Sequence, residues 1–247
     1  DGYYLTGEES KNEAQENLVR YLAEKAGIPH GARVLDVGCG IGGSSVWLSK
    51  NLNAATVGIT ISPRQLEIAR LNAERNHADS VFYLMDAEKM EFTGAFDVIW
   101  AVAVCTHLEN QEVFIRRAAG FLNPGGIFII FDWMLANGSG NLSEDKTVAS
   151  VRRGMLLQSI YALSAYQDWF TETGYDVALL EDITPFTIKT WDDAISFIRQ
   201  PAVWKLLYQL AAKEGKEVFT FIRGLYAMRA AMRKNKIIAG VVIARKK

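Results

Sequence analysis

The chain has 247 residues, 49% of them hydrophobic, and its 27 basic and 28 acidic side chains give a net charge of −1. This balance excludes the strongly positive field that draws proteins onto nucleic acids, so we expect no nucleic-acid partner. Apolar runs such as residues 127–131 are far shorter than the roughly 20 residues that span a bilayer, so we expect no transmembrane segment.

The first residue is Asp1, and no basic, apolar leader follows it. We therefore expect a trimmed chain, with a cytoplasmic location as the default. The two cysteines, Cys39 and Cys105, are too few for a disulfide framework or a metal site. The sequence does not indicate an oligomeric state.

Helical and strand patterns alternate along the first half of the chain. Apolar residues recur on one helical face over residues 12–26, and this segment ends at Gly27. The alternation that follows is typical of a parallel sheet with helices on both faces. The predicted strands are 33–37, 55–59, 81–84, 96–102 and 126–131, and the predicted helices are 43–51, 63–76 and 111–122.

The pattern changes after Asp132. A Gly/Ser/Asn-rich loop at 137–143 precedes helical segments within 147–173, a strand at 177–182, helices at 191–214 and 216–234, and a last strand at 237–244. We interpret these late helices as a cap inserted into an α/β, Rossmann-like fold with a seven-stranded, mostly parallel sheet whose last strand is antiparallel. The expected division is 1–133 for the cofactor-binding core, 134–235 for the cap and substrate-pocket region with one sheet strand, and 236–247 for the final strand.

A glycine loop, Asp36-Val37-Gly38-Cys39-Gly40-Ile41-Gly42, joins the first strand to the next helix. Such a loop lets the backbone approach a ligand and places the N–H groups of a helix N-terminus against it. The glycines alone also fit a dinucleotide fingerprint, because Gly43 stands three residues after Gly40. The second strand ends in Gly58-Ile59-Thr60-Ile61-Ser62, which lacks the acid that a nicotinamide cofactor's ribose requires.

These motifs resemble the tocopherol and sterol methyltransferase branch of the class I S-adenosylmethionine-dependent methyltransferases. The resemblance rests on residues 34–45 and on Gly58-Ile59-Thr60-Ile61-Ser62-Pro63 with Gln65. It extends through most of the chain, to Asp1-Gly2-Tyr3-Tyr4, Leu122-Asn123-Pro124-Gly125-Gly126, Asp132-Trp133 and Ala227-Met228-Arg229. It implies a transferase that uses S-adenosyl-L-methionine.

The resemblance also implies a set of cofactor-binding residues. Asp36 would organise the glycine loop and the methionine ammonium, Ser62 and Gln65 would replace the usual acid near the ribose, and Asp86 would bracket the adenine amino group. A turn or helix cap is the alternative role for Asp86. The full set is Tyr3, Tyr4, Asp36, Gly38, Cys39, Gly40, Gly42, Thr60, Ile61, Ser62, Gln65, Asp86, Ala87 and Ala103.

Three of these positions, Tyr3, Tyr4 and Ala103, bear on the sulfonium end of the cofactor and on the acceptor. Either Tyr3 or Tyr4 would close over the sulfonium end of the cofactor. Ala103 stands where the tocopherol-type pattern carries a glutamate four residues before a histidine, so the charge of that acid is missing here. This departure leaves the acceptor open.

His107 is the candidate catalytic base. Methyl transfer requires alignment and desolvation, and it needs a base only when the nucleophile carries a proton that must leave. His107 lies just after the fourth predicted strand, at the sheet edge where open α/β folds bind ligands. A histidine that caps a helix or bonds to the backbone is the alternative. No group of His, Cys and Asp residues has the spacing of metal ligands, so we expect no metal.

Large apolar side chains recur with helical spacing through the late helices, which predicts that most of them are core. These side chains are Trp191, Phe197, Trp204, Tyr208, Phe219, Phe221, Tyr226 and Met228. With Met134, Met155, Tyr161 and Trp169, they would also enclose a dry pocket. We therefore expect a small hydrophobic acceptor from secondary metabolism, a prenylated phenol, terpenoid or polyketide-like molecule, methylated on carbon or oxygen.

Other functions remain open at this point. An alkaloid-like amine could accept the methyl group on nitrogen. A pericyclase or isomerase could keep the fold and bind the cofactor without methyl transfer, because a fold does not fix a function. A nicotinamide-dependent oxidoreductase is a weaker alternative, and a pure interaction module gives no reason for the glycine loop.

Overall fold

The computed structural model describes residues 1–136, 145–215 and 217–247. Its strands are β1 (Arg33–Val37), β2 (Ala55–Thr60), β3 (Ser80–Leu84), β4 (Phe96–Val102), β5 (Leu122–Leu135), β6 (Tyr175–Asp182) and β7 (Ile237–Lys246). Within the described residues they form one seven-stranded sheet in the order β3-β2-β1-β4-β5-β7-β6. All pairs are parallel except β5 with β7 and β6 with β7, which confirms the predicted mostly parallel Rossmann-like sheet.

Helices cover both faces of this sheet. They are α1 (Lys11–Ala26), α2 (Gly43–Leu52), α3 (Pro63–Asn76), α4 (Gln111–Ala119), α5 (Lys146–Gly154), α6 (Leu163–Glu172), α7 (Thr184–Thr187), α8 (Lys189–Ile198), α9 (Pro201–Glu214) and α10 (Glu217–Arg233). A 3-10 turn, Cys105–His107, follows β4. Among the described helices, none is long and apolar enough to cross a membrane.

Local signals set the helix ends. Ser10 caps α1, and Ser10 and Glu13 bond each other's backbone N–H groups in a capping box. Ser62 caps α3, and Pro63 occupies its first position, where the missing N–H costs nothing. These signals fix α1 and α3 close to their predicted bounds.

The core lies on both faces of the sheet because the central strands alternate their side chains. On β5, Ile127, Ile129 and Phe131 point to the face covered by α1 and the cap helices α5, α8 and α10. Phe128 and Ile130 point to the opposite face, which α4 and α6 cover. A two-sided core therefore holds the carboxyl ends of β1, β2 and β4 in fixed positions.

Three predicted boundaries were wrong. The helix predicted at 111–122 ends at Ala119, because the chain turns at Gly120 and Leu122 already pairs with Phe96 of β4. The helix predicted at 191–214 is two helices, α8 and α9, because Pro201 cannot donate a backbone hydrogen bond and starts a new helix. The strand predicted at 126–131 extends over all of β5. The loop predicted at 137–143 lies outside the described residues.

The prediction that most of the eight large apolar side chains in the late helices are core was also wrong. Trp191 and Met228 are buried and Tyr226 is half-buried, but the other five are exposed. These five are Phe197, Trp204, Tyr208, Phe219 and Phe221. Helical spacing predicts an apolar face but not a neighbour to cover it, and Tyr208 on α9 is 73% exposed.

Candidate functional site at the carboxyl edge of the sheet

The glycine loop crosses the carboxyl end of β1 and enters α2. Gly38, Gly40 and Gly42 have φ angles of +71°, +55° and +81°, a left-handed conformation that side chains resist. The N–H of Cys39 donates to Ile59 O at 2.9 Å, which ties the loop to the end of β2. This hydrogen bond fixes the position of the loop beside the carboxyl ends of β1 and β2.

The three glycines differ in their surroundings. A Cβ on Gly38 would lie 2.5 Å from Val104 Cγ2, and one on Gly42 would lie 2.8 Å from Phe82 Cζ, so the protein itself requires glycine there. At Gly40, apart from the glycine and its two chain neighbours, no heavy atom of the described residues lies within 4 Å of the Cβ position. Gly40 therefore presents bare backbone to open space, which is where a ligand could approach.

Asp36 is a buried acid beneath this loop, with 3% of its surface exposed. The Ser45 hydroxyl, in the first turn of α2, donates to Asp36 Oδ2 at 2.6 Å. Burial raises the pKa of Asp36 to about 6 even though the Ser45 hydrogen bonds lower it. A cation beside this carboxyl group would favour its ionised form. Cys39 is also buried, and burial raises the pKa of its thiol.

The end of β2 supplies polar and apolar groups side by side. The Thr60 hydroxyl donates to Gln65 Oε1 at 2.9 Å, and Ser62 Oγ accepts from the N–H of Gln65 at 3.3 Å. Between them, the Ile61 side chain is 76% exposed. This edge could therefore accept a flat apolar ring with hydroxyl groups next to it.

Asp86 and Ala87 follow β3. Asp86 Oδ1 accepts from the N–H of Glu88 at 2.9 Å, and Oδ2 lies 3.6 Å from Lys89 Nζ. Asp86 therefore stabilises a turn, which was the alternative to its role at the adenine amino group. Its carboxylate is partly exposed. The Ala87 side chain is buried, so only its backbone is left for a ligand.

His107 is the exposed last residue of the 3-10 turn after β4. Its neighbour Thr106 is fully buried and bonds Asp132, which lies in β5 directly after the last residue that pairs with β4. The Thr106 N–H donates to Asp132 Oδ2 at 3.1 Å and its hydroxyl donates to Oδ1 at 2.9 Å. Burial raises the pKa of Asp132, while these bonds and the nearby His107 lower it. Asp132 thus anchors the turn that carries His107.

No sequence pattern indicated this anchoring role. In the sequence, Asp132 belongs to the Asp132-Trp133 motif and marks the end of the alternating pattern, whereas its burial in the structure signals a partner, because an unpaired buried charge is costly. A second support comes from Gln158 and Ser159, whose N–H groups donate to Thr106 O at 2.9 and 3.3 Å. Ser159 Oγ in turn accepts from Gln111 Nε2 at 2.9 Å.

Ala103 lies at the end of β4 with φ of +55°, and its side chain is exposed. Its N–H donates to Phe131 O at 2.7 Å. A non-glycine residue in this conformation stores strain, and such residues cluster at functional sites. Ala103 thus shares the carboxyl edge with Gly38 and His107.

Tyr3 and Tyr4 are buried by other neighbours. The Tyr3 ring stacks between Tyr21 and Phe186, with centroid distances of 4.4 and 4.7 Å. The Tyr4 hydroxyl donates to Asp193 Oδ2 at 3.3 Å. These contacts dock the N-terminal segment on α1, α7 and α8, and none of them involves the glycine loop.

Sequence comparisons identify a family and relatives of this chain. Residues 35–130 match the methyltransferase domain family. The chain is 30% identical over 197 residues to 27-O-demethylrifamycin SV methyltransferase of Amycolatopsis mediterranei, covering 78% of this chain and 72% of that protein. It is 33% identical over 207 residues to 2-methyl-6-phytyl-1,4-hydroquinone methyltransferase of Synechocystis, covering 76% of this chain and 62%, less than two thirds, of that protein.

A solved structure shares the fold along nearly the whole chain. The 4+2 cyclase SpnF superposes with a TM-score of 0.82 and 22% identity, covering 99% of this chain and 86% of that one. At this identity, the likeness describes the fold.

Proposed function

The chain belongs to the class I S-adenosylmethionine-dependent methyltransferases, and from that membership we propose that it methylates carbon or oxygen of a small hydrophobic acceptor. The enzyme takes its methyl group from S-adenosylmethionine. The proposed acceptor is a prenylated phenol, a terpenoid or a polyketide-like natural product. The observation that carries the proposal is the carboxyl edge, where the buried acid and open glycine backbone at the end of β1 lie next to the turn after β4 that carries an exposed histidine.

The residues at this edge fit the cofactor. Gly40 would let its methionine part approach the backbone, and Asp36, whose pKa is raised to about 6 by burial, would be stabilised as an anion by the ammonium group. Ile61 would cover the adenine ring, with Thr60 and Ser62 nearby. When bound, the cofactor supplies a methyl group already activated for displacement by its positively charged sulfur.

The other residues of the set keep more limited roles. Gly38 and Gly42 would shape the loop, Cys39 would fill its base, and Gln65 would orient Thr60 through their hydrogen bond. Asp86 and Ala87 would lie at the adenine end. Tyr3 and Tyr4 would act by docking the N-terminal segment, since their bonding partners lie on α1, α7 and α8.

His107 is the proposed base. A phenol must lose its proton to become a strong nucleophile, and an imidazole near neutral pH accepts that proton efficiently. Thr106 and Asp132 would hold the turn so that a ring nitrogen of His107 meets the acceptor hydroxyl. With no acid at position 103, His107 is the exposed ionisable side chain of the turn that follows β4.

The cap supports an apolar acceptor. Exposed aromatic side chains cluster on α8, α9 and α10, and exposed apolar surface of this kind often marks a binding site. We propose that residues 1–133 hold the cofactor, that 134–235 receive the acceptor, and that 236–247 complete the sheet. The two methyltransferase relatives described above are named for methyl transfer to a demethylrifamycin and to a phytyl hydroquinone, which supports a small-molecule acceptor.

Two alternatives are kept. An alkaloid-like amine could replace the phenol, because its free base needs no proton removed before attack. A cyclase that binds the cofactor without methyl transfer is the second alternative, supported by the name of the similarly folded SpnF.

The test is methyl transfer from isotopically labelled S-adenosylmethionine to a panel of prenylated phenols, terpenoids, polyketides and amines, followed by mass spectrometry. A labelled phenol, terpenoid or polyketide supports the proposal and identifies the methylated atom. Label on the amines alone supports the nitrogen alternative. Cofactor binding with no labelled product, combined with a cyclised or rearranged substrate, supports the cyclase alternative.

A further inference from the structure

A cleft of about 280 Å³ lies between α5 and α10, apart from the glycine loop and the 3-10 turn. Its lining comprises Lys146, Ala149, Ser150, Arg153, Thr220 and Arg223. The lining carries three cationic side chains, two hydroxyl groups and no acidic group. This is a charge pattern that the proposed methyl transfer does not use.

The cleft is built by helix geometry. The four lining residues of α5 lie at positions 146, 149, 150 and 153, which share one face of a helix, and positions 220 and 223 share a face of α10. The two helices touch at Gly154 and Gly224, where a Cβ on Gly154 would lie 2.4 Å from the Gly224 Cα. This close contact fixes the two basic faces opposite each other.

The positive charges in the cleft lack protein partners among the described residues. Lys146, Arg153 and Arg223 take part in none of the ion pairs there. Two acids whose side chains the structure describes lie near along the chain. Asp145 is paired with Lys236, and Glu217 lies one helical turn before Thr220 and does not line the cleft.

Like charges that line one cleft repel each other, and solvent screens this repulsion because all three side chains are exposed. The chain as a whole carries a net charge of −1, so general basicity does not explain the cluster. An anion would relieve the repulsion. Two guanidinium groups on opposite walls suit a group with several anionic oxygens, because each guanidinium can donate two parallel hydrogen bonds.

We propose that the cleft between α5 and α10 is a binding site for a phosphate- or diphosphate-bearing ligand. Arg153 and Arg223 donate hydrogen bonds to the anionic oxygens from opposite sides. Lys146 adds a third positive charge, and Ser150 offers a hydroxyl donor. The phosphate comes from a small molecule or from a lipid headgroup, and both present the same chemistry to these residues.

The test is calorimetric titration of the full chain with inorganic pyrophosphate at fixed ionic strength. We expect saturable binding that Arg153→Gln and Arg223→Gln each weaken about tenfold and that the double variant abolishes. Arg75→Gln, at the exposed C-terminal turn of α3, makes the same charge change and is expected to leave binding unchanged. Pyrophosphate should also raise the unfolding temperature of the wild type but not of the double variant.

A second arm identifies the source of the phosphate. Sedimentation with phosphatidylglycerol vesicles, but not with phosphatidylcholine vesicles, and its reversal by pyrophosphate would assign the ligand to a lipid headgroup. Pyrophosphate binding without sedimentation would assign it to a small molecule. The proposal is overturned if the wild type shows no saturable binding, if the folded double variant binds as tightly as the wild type, or if Arg75→Gln weakens binding equally.

Discussion

The Ser45 hydroxyl lies 2.6 Å from Asp36 Oδ2, in a position that solvent barely reaches. Burial nevertheless raises the pKa of Asp36 from its usual 3.8 to about 6. The folded protein therefore holds the Asp36 proton more tightly than the unfolded chain does. The stabilisation that this proton provides is complete below about pH 3.8 and is lost as the pH rises through about 6.

Replacing Asp36 with Asn should therefore stabilise the cofactor-free protein at pH 8, by about 1–3 kcal/mol, because the variant has no buried charge there. The gain should shrink as the pH falls from 6 towards 4. The same variant should lose affinity for S-adenosylmethionine, because the anion that would pair with its ammonium is gone. Denaturant unfolding at several pH values and calorimetric titration of the cofactor measure the two effects. Lower stability of the variant at pH 8 would contradict this explanation.

Gly40→Val should abolish cofactor binding, since the new side chain would enter the open space above the loop. Gly125→Val is the matched control. Gly125 also has a positive φ, +73°, and open space at its Cβ position, but it lies at the amino end of β5. Both variants should lose about 1–2 kcal/mol of stability through backbone strain. Equal loss of cofactor affinity in both would show that strain, and not contact, is responsible.

His107→Ala should slow methylation of a phenol by about 10²–10⁴-fold, the range that a general base contributes. Methylation of an amine that reacts as its free base should change much less. His30→Ala, which removes an exposed histidine just before β1, is the control and should leave both rates unchanged. Rates on the two acceptors, measured over a range of pH, check this prediction. Equal slowing of both reactions would remove His107 from the role of base.

Asp132→Asn should disturb the turn that carries His107, because an amide cannot accept all the hydrogen bonds that Thr106 and Trp133 donate to the carboxylate. We expect a loss of about 1–3 kcal/mol in stability and a lower kcat on a phenol, with cofactor affinity retained. Asp97→Asn is the control, since Asp97 also accepts a backbone N–H, from Arg33 at 2.9 Å, at the opposite end of β4. An unchanged pH profile of kcat in Asp132→Asn would show that Asp132 serves stability alone.

The elements that sequence analysis located well are those with local signals. Gly27 ends α1 and Pro63 starts α3, and each acts through the conformation of its own backbone. Pro201 is the same kind of signal, because a proline inside a helical pattern usually marks a helix boundary. It therefore also indicates that residues 191–214 form two helices.

The features that escaped prediction depend on distant partners. Thr106 and Asp132 are 26 residues apart, and only the parallel pairing of β4 with β5 brings them together. The exposure of Tyr208 likewise depends on which helices pack against α9. The same holds for the glycine loop, where sequence gives three equivalent glycines and only the structure separates Gly40, with open space, from Gly38 and Gly42.

The position of β7 also affects how the chain folds. β7 is the last strand in sequence, yet it lies between β5 and β6, and Ile127 on β5 pairs with Arg245 more than a hundred residues later. Until β7 arrives, β5 has an unpaired edge of apolar residues and β6 has no partner in the sheet. Pairings over such sequence distances form slowly, and exposed apolar strands aggregate in the meantime. We therefore expect the yield of folded enzyme to depend on how fast β7 inserts relative to the association of unfinished chains, and to rise at low temperature and with slow synthesis.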